Sequence, residues 1–205
     1  MTAQDNKART SRCRKAQRRQ MREARAAFVC AIAPAVRRAL EGAVASAILP
    51  RLGSPGILAS YAAMGDELDP SATEEAARAA GWRIAYPRIT PGAPLSFHEA
   101  ARASLLPGRL GIPEPAPESR IVRPDVVLVP LIGADRKGNR LGQGGGFYDR
   151  TLAVLRASGP LLAIGLGWDV QIADHIRAEP WDQPLDAVAT PAAFHLAGPG
   201  ARRGG

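Results

Sequence analysis

The first regular pattern along the chain is helical. Met21, Ala24, Phe28 and Ile32 recur every three or four residues, which predicts a helix over residues 12–33. Pro34 lacks an amide hydrogen and its ring collides with the preceding turn, so it should end or kink that helix. Val36, Leu40, Val44 and Ile48 then predict a second helix over 35–48, with this stripe facing inward. Pro50, Gly53, Pro55 and Gly56 break the pattern. Beyond them, residues 57–63 read as a short buried strand ending at Met64-Gly65-Asp66-Glu67. Ser71 is placed to cap a helix, Glu74 three residues later would complete a capping box, and Gly81 stops the helix. Residues 82–86 form a second strand, closed by Pro87.

The middle of the chain is less regular. Residues 95–100 have strand character, while Pro107, Pro113, Pro115, Pro117 and Pro124 make the rest of 88–124 an ordered loop. Residues 125–132 (D-V-V-L-V-P-L-I) are nearly continuous and β-branched, as a central strand covered on both faces should be. A loop over 133–146 leads to a helix over 147–157, a strand over 161–166, a short helix near 170–177 and a last strand near 185–189. Strand and helix alternate, the unit of a parallel sheet. The expected fold is α/β: a single-domain three-layer sandwich with a mostly parallel central sheet and helices on both faces. The domain should occupy 12–192, between a flexible basic arm at 1–11 and a flexible tail at 193–205.

Composition narrows the class. The 205 residues are 46% hydrophobic and 22% charged, enough apolar material for a core. No run approaches the roughly 18 apolar residues that span a bilayer, and no apolar signal-peptide centre is present. Two cysteines, Cys13 and Cys30, cannot build a disulfide scaffold, so a reducing, cytoplasmic setting is expected. The net charge of +8 sits almost wholly in residues 1–25, where nine bases face two acids; the remaining chain is nearly neutral. That basic stretch could bind nucleic acid, supply cations to a phosphorylated ligand, be an organellar transit peptide, or be a solvated helix face. The neutral body, with no platform of stacking aromatics, disfavours nucleic acid.

Residues 140–150, R-L-G-Q-G-G-G-F-Y-D-R, carry the most chemistry. They leave a buried strand and enter a helix, where glycines let backbone N–H groups turn toward an anion. No Gly-Lys-Ser/Thr follows, so this is no Walker loop. Phe147 stands where a dinucleotide fingerprint needs its third glycine. A plain flexible glycine loop is the competing structural reading. Phe147 and Tyr148 could stack on a flat ring. Asp149 could hold a metal or simply oppose the helix dipole. His98, His175 and His195 have no metal-ligand spacing.

The same block, preceded by V-P-L-I-G-A-D-R-K-G-N, resembles the signature of the 5-formyltetrahydrofolate cyclo-ligase (5,10-methenyltetrahydrofolate synthetase) family. Residues 15–19 (K-A-Q-R-R) resemble its N-terminal K-x-x-x-R element, and 64–69 (M-G-D-E-L-D) the block after the first strand. Phe97-His98-Glu99 with 111–115 (G-I-P-E-P) resembles the middle. Residues 164–168 (I-G-L-G-W), with Gln171 and Asp182, resemble the C-terminal block. Coverage runs over about 12–190. Three positions depart from the pattern. Ala134 replaces Phe, which should reshape the pocket wall; Arg18 replaces an apolar residue; and Gln143 replaces Tyr or Arg. The Arg-rich extension before Lys15 has no counterpart.

The resemblance implies an ATP-dependent cyclisation of 5-formyltetrahydrofolate to 5,10-methenyltetrahydrofolate, with ADP and phosphate released. It implies ATP and Mg²⁺ as cofactors, a small folate as substrate (polyglutamylated in some forms), no membrane and a monomer. Lys15, Arg19, Arg140 and residues 141–148 (Leu141, Gly142, Gln143, Gly144, Gly145, Gly146, Phe147, Tyr148) would hold ATP, with Arg140 and Tyr148 catalytic. Ala62, Glu67, Gln143 to Phe147 and Trp168 would contact folate, Glu67 through the ring nitrogens. Asp149 and Asp182 would position Mg²⁺. Asp182 could otherwise only cap a loop, and Glu67 could otherwise only pair with a base. The competing enzyme is a phosphosugar isomerase-like protein, which needs neither ATP nor a carboxylate pair.

Overall fold

The computed structural model describes residues 3–198, with side chains described from Cys13 onward. Helix α1 (Ala3–Ala31) begins nine residues before the predicted start. Its buried side chains are Arg14, Met21 and Arg25, two of them cations, so this helix does more than cover apolar core. Pro34 opens α2 (Pro34–Ile48), where a missing amide hydrogen costs nothing because the first-turn donors have no partner within the helix. Val44 and Ile48 are fully buried, but Val36, in the first turn, is exposed.

The predicted capping box at Ser71 does not form. Pro70 takes the cap position of α3 (Ser71–Ala79), and no side chain caps it. Glu74 is drawn inward instead, where it accepts hydrogen bonds from Ser60 Oγ and Tyr86 OH, both at 2.5 Å, and from Arg102 Nη2 at 2.8 Å. A buried carboxylate needs such partners, and here they outcompete the helix end.

Eight strands make the main sheet. Five run parallel, in the spatial order Ala187–Ala189, Leu162–Leu166, Val126–Pro130, Ile57–Ala59, Arg83–Arg88. Arg83–Arg88 continues through Pro87. Its pairing with the first strand ends at Ala85, so the missing N–H breaks no bond on that side. Antiparallel strands finish both edges: Ser96–Glu99 then Ile121–Val122 on one, Phe194–Leu196 on the other. The last of these carries regular structure past the predicted boundary at 192; residues 199–205 of the predicted tail lie outside the described residues.

Alternate residues of the central strand face opposite layers. Val126 and Leu128 pack with Val44 and Ile48 of α2 and Ala77 of α3. Val127 and Val129 pack with Leu152 of α4 (Phe147–Ala157). This is the expected three-layer sandwich. A helix near 170–177 is not present. A single 3₁₀ turn, Asp169–Gln171, leads to Ile172–Ala173, which pairs with Gly133–Asp135 in a small sheet completed by Arg140–Leu141. The buried Gln171 amide donates to Leu131 O at 2.8 Å and Ile132 O at 2.9 Å, and Asp135 Oδ2 accepts from Ile176 N at 2.9 Å. These bonds hold the backbone extended.

Strand order reverses between Ile57–Ala59 and Val126–Pro130. From the first strand the chain builds outward on one side, then returns to build on the other. The two helical layers diverge at such a point and leave a crevice beyond the carboxyl ends of the strands, where doubly wound sheets bind ligands.

Candidate active site

A cavity of about 740 Å³ opens in that crevice. Tyr61 and Ala62 reach it from the end of the first strand, and Leu131 and Ile132 from the end of the central strand. The loop Gly142–Gly146 and the first turn of α4 form another wall, Arg14 and Arg18 of α1 a third. Its size falls within the roughly 300–1,000 Å³ of small-molecule sites.

The glycine loop is conformationally specialised. Gly144 has φ +103° and Gly146 φ +65°, values that a side chain strongly disfavours. A Cβ on Gly145 would stand 2.7 Å from Phe147 Cε2. The loop therefore delivers the chain tightly into α4, with Gly146 as the residue before its first turn. That turn's amides point at the cavity end of the helix without intrahelical partners.

Two ion pairs join the cations and carboxylates of this wall. Arg140, buried on its short strand, donates from Nη2 to Asp149 Oδ1 at 2.6 Å and from Nη1 to Gln183 O. Burial lowers the Arg140 pKa while Asp149 and Asp182 oppose that shift; a guanidinium stays charged regardless. Arg14 Nη1 donates to Asp182 Oδ2 at 2.5 Å and to Arg177 O at 3.2 Å. Arg18 Nε donates to Gly142 O at 2.9 Å, and Arg22 Nη2 to Gln143 Oε1 at 2.6 Å. Burial, then repulsion from Arg14 and Arg22, lowers the Arg18 pKa.

The cations that face the cavity from α1 lie one residue before each member of the predicted N-terminal pair. Lys15 and Arg19 are exposed and do not line the cavity; Arg19 lies 4.0 Å from Glu23 on the same helix. Arg14 and Arg18 line it. Arg18, read above as a departure from the pattern, is thus one of the cations facing the loop. The signal was available: Arg14 lies seven residues before Met21 and Arg18 seven before Arg25, which is two helical turns along one face.

Of the remaining predicted residues, Ala62, Glu67, Gly142 to Tyr148, Asp149 and Asp182 all line the cavity. Leu141 does not; it is fully buried with Met21, Ile132 and Ile176. Trp168 does not either. It is fully buried against Phe28, with ring centroids 5.6 Å apart, and donates Nε1–H to Asp66 O at 3.0 Å. Ala134 is fully buried in the small sheet and does not line the cavity. Sequence reasoning missed Tyr61, Glu114, Glu179 and Trp181, which also line it. No periodicity marks the last three, because they lie on irregular segments.

The cavity also holds Glu67, Tyr61 and Tyr148. Glu67 Oε2 accepts Met64 N–H at 3.0 Å. Burial pushes the Glu67 carboxyl above its ordinary 4.5, against the pull of that hydrogen bond and of Arg25. Burial, then the Glu67 charge, raises the Tyr148 hydroxyl well above its usual range, so it is a neutral donor at physiological pH. Tyr61 OH donates to Leu68 O at 2.6 Å.

The donor set fits Mg²⁺ in company with phosphate. Asp149 and Asp182 each give one oxygen to an arginine and a backbone amide, Gln183 N and Glu179 N respectively. Asp149 Oδ2 and Asp182 Oδ1 have no hydrogen bond among the described residues. No group of three or more His, Cys, Asp or Glu side chains that could hold a metal occurs among the described residues. Mg²⁺ commonly takes one or two carboxylates and completes its shell with water and phosphate. His98 is satisfied internally, by Ser96 Oγ at 2.9 Å and Ser119 O at 2.8 Å.

Fold and site together define a doubly wound α/β protein with a glycine loop, arginines and carboxylates gathered in a cavity at the switch point of its sheet. The chain belongs to the 5-formyltetrahydrofolate cyclo-ligase family, whose model matches residues 9–191. The 5-formyltetrahydrofolate cyclo-ligase of Escherichia coli K12 is 36% identical over 141 residues, 65% of this chain and 77% of that protein. That of Mycolicibacterium smegmatis is 38% identical over 102 residues, 48% and 52% of the two chains. The solved 5,10-methenyltetrahydrofolate synthetase of Aquifex aeolicus shares the fold with TM-score 0.72 at 24% identity, over 90% of this chain and 92% of that one. The Mycoplasma pneumoniae synthetase does so with TM-score 0.66 at 22% identity, over 87% and 98%.

Proposed function

We propose that the chain converts 5-formyltetrahydrofolate and ATP to 5,10-methenyltetrahydrofolate, ADP and phosphate. One observation carries the reading. Three arginines, a glycine loop and two carboxylates meet in the cavity that also holds Glu67, Phe147 and Tyr148. A phosphosugar isomerase, which uses no ATP, would need no carboxylate pair for magnesium.

The chemistry needs such a divided site. A formamide carbon is a poor electrophile, because its nitrogen donates into the carbonyl. The formyl oxygen attacks the γ-phosphorus, and ADP leaves. The carbon is now iminium-like, with phosphate as its leaving group. N10 closes onto it, phosphate departs and N10 gives up its proton. Arg14, Arg18 and Arg140, with loop amides, would hold the phosphates and meet the charge that develops there. Glu67 would accept hydrogen bonds from pterin nitrogens, Phe147 would pack on the ring, and Ala62 would leave room for it. Tyr148 would stand between the ligands and donate its hydroxyl proton as a hydrogen bond. Asp149 and Asp182 would hold Mg²⁺, which supplies positive charge to phosphate oxygens when bound. Holding formyl oxygen and phosphorus in line replaces a bimolecular encounter.

No helix among the described residues is long and apolar enough to cross a membrane. Cys13 and Cys30 are free and exposed, which suits the reducing, cytoplasmic setting we assign. The test is direct: purified protein, 5-formyltetrahydrofolate and Mg²⁺ should develop methenyl absorbance only when ATP is added. Absorbance that grows equally without nucleotide, or not at all, overturns the reading.

A further inference from the structure

Arg25 has no part in the chemistry above, yet it is 6% exposed at the junction of the three elements that shape the folate side. Its Nη2 lies 2.6 Å from Asp66 Oδ1, on the turn after the first strand. Its Nη1 donates to Leu131 O at 3.5 Å, just past the central strand. The switch point lies between those two strand ends, so one side chain of α1 ties both edges of the crevice. Its Nε is buried without a hydrogen-bond partner among the described residues. Native structures leave few buried donors unmet.

What Arg25 holds is the turn that carries Glu67. Residues 64–67 are gripped from outside at three points: the Asp66 carboxylate by Arg25, Asp66 O by Trp168 Nε1 at 3.0 Å, and Glu67 O by Arg37 Nη2 at 2.7 Å. Only the first grip is ionic. We infer that Arg25 is a positioning residue: through Asp66 and Leu131 it sets where the Glu67 carboxylate stands in the cavity. It thereby governs binding of the heterocyclic substrate and leaves the nucleotide side untouched. The inference rests on the folate reading of that cavity. The groups facing Glu67 are Arg25 from α1, Asp66 on its own turn, Tyr61 after the first strand, Gln143 on the loop and Tyr148 of α4. Arg25 supplies positive charge to this set, so its loss makes Glu67 harder to ionise.

Arg25→Met, Arg25→Lys and Asp66→Asn should be compared with the parent chain. The Met variant is expected to raise KM for 5-formyltetrahydrofolate about tenfold, the scale of one lost charged hydrogen bond, while KM for ATP stays within about twofold. The acid limb of the folate-dependent rate should move to higher pH. Lys, which can still pair with Asp66, should restore most of the loss, and Asn should reproduce it. If Arg25→Met does not fold, the Asp66→Asn and Arg25→Lys pair decides. Hydrogen exchange reads the same claim without ligand: amides 64–67 should exchange faster in the Met and Asn variants, with amides 126–130 unchanged. Equal rises in both KM values, an unshifted acid limb, or uniform acceleration of exchange across the sheet would overturn the assignment. If the parent chain shows no cyclisation, the folate reading itself fails, and the exchange pattern alone decides whether Arg25 holds the turn.

Discussion

Arg18 and Arg19 are neighbours in sequence and lie about 100° apart around α1. That rotation sends one guanidinium to the glycine loop and the other into solvent beside Glu23. Arg18→Ala should therefore raise KM for ATP roughly 10- to 100-fold, the scale of one charge-assisted bond of about 1.5–3 kcal/mol, whereas Arg19→Ala leaves it within about twofold. Steady-state kinetics on the two variants checks this. Glu67 allows a second prediction, on pH. Its folded pKa lies above the ordinary 4.5, with burial as the first cause. The folded state thus holds the proton more tightly than the unfolded chain, and stability falls as pH rises from 4.5 through the raised value. Glu67→Gln removes this penalty. Its melting temperature relative to the parent should be higher at pH 8 than at pH 4, while affinity for 5-formyltetrahydrofolate drops. A melting difference that does not change between those pH values would contradict the stated cause.

Among the elements, the glycine loop separates two reasons for glycine. Gly144 is required by its own backbone: at φ +103° an added side chain is strained whatever surrounds it. Gly144→Ala should cost about 1–3 kcal/mol of stability. Gly142 has ordinary backbone and nothing within 4 Å of an added Cβ. Gly142→Ala should leave thermal unfolding unchanged, so any loss of ATP affinity in that variant reports a ligand lying against the backbone there. Calorimetric unfolding and ATP titration of both variants distinguish the cases. The long helices were legible at this scale, because the 3.6-residue period of Val44, Ile48 and their neighbours is set by the core they face. The helix over 147–157 was read with its bounds correct, since the glycines leave no doubt where it starts. Residues 170–177 misled. Their apolar spacing suits a helix, but the Asp135 carboxylate takes the Ile176 amide, the Gln17 amide takes the His175 carbonyl, and Gln171 is anchored to Leu131 and Ile132. Side chains distant in sequence decided that segment, and period alone does not record them. Ser71 misled for a similar reason: Glu74 found better partners inside than at the helix end.

For the molecule as a whole, the three layers and the mostly parallel sheet followed from alternating patterns. The extra edge strand Phe194–Leu196 did not, since three residues are too few to establish a period even though Phe194 and Leu196 are apolar. The site was legible where the motif was dense, at residues 140–149, and blurred where it was carried by single residues of one helix. α1 is the reason. It contributes Arg14 and Arg18 to the glycine-loop wall and Arg25 to the turn after the first strand, and each of those residues is answered by a group far along the chain. On the ribosome this helix emerges before anything it grips. Asp66 follows soon, Leu131 and Gly142 come much later and Asp182 later still, so Arg14 waits longest. A nascent chain stalled before Asp182 would already contain four of its five parallel strands, Arg140 and the glycine loop, yet Arg14 would still lack its carboxylate. Such a fragment would have one carboxylate of the cavity, Asp149, without the other, so the site is complete only once Asp182 has emerged to meet Arg14.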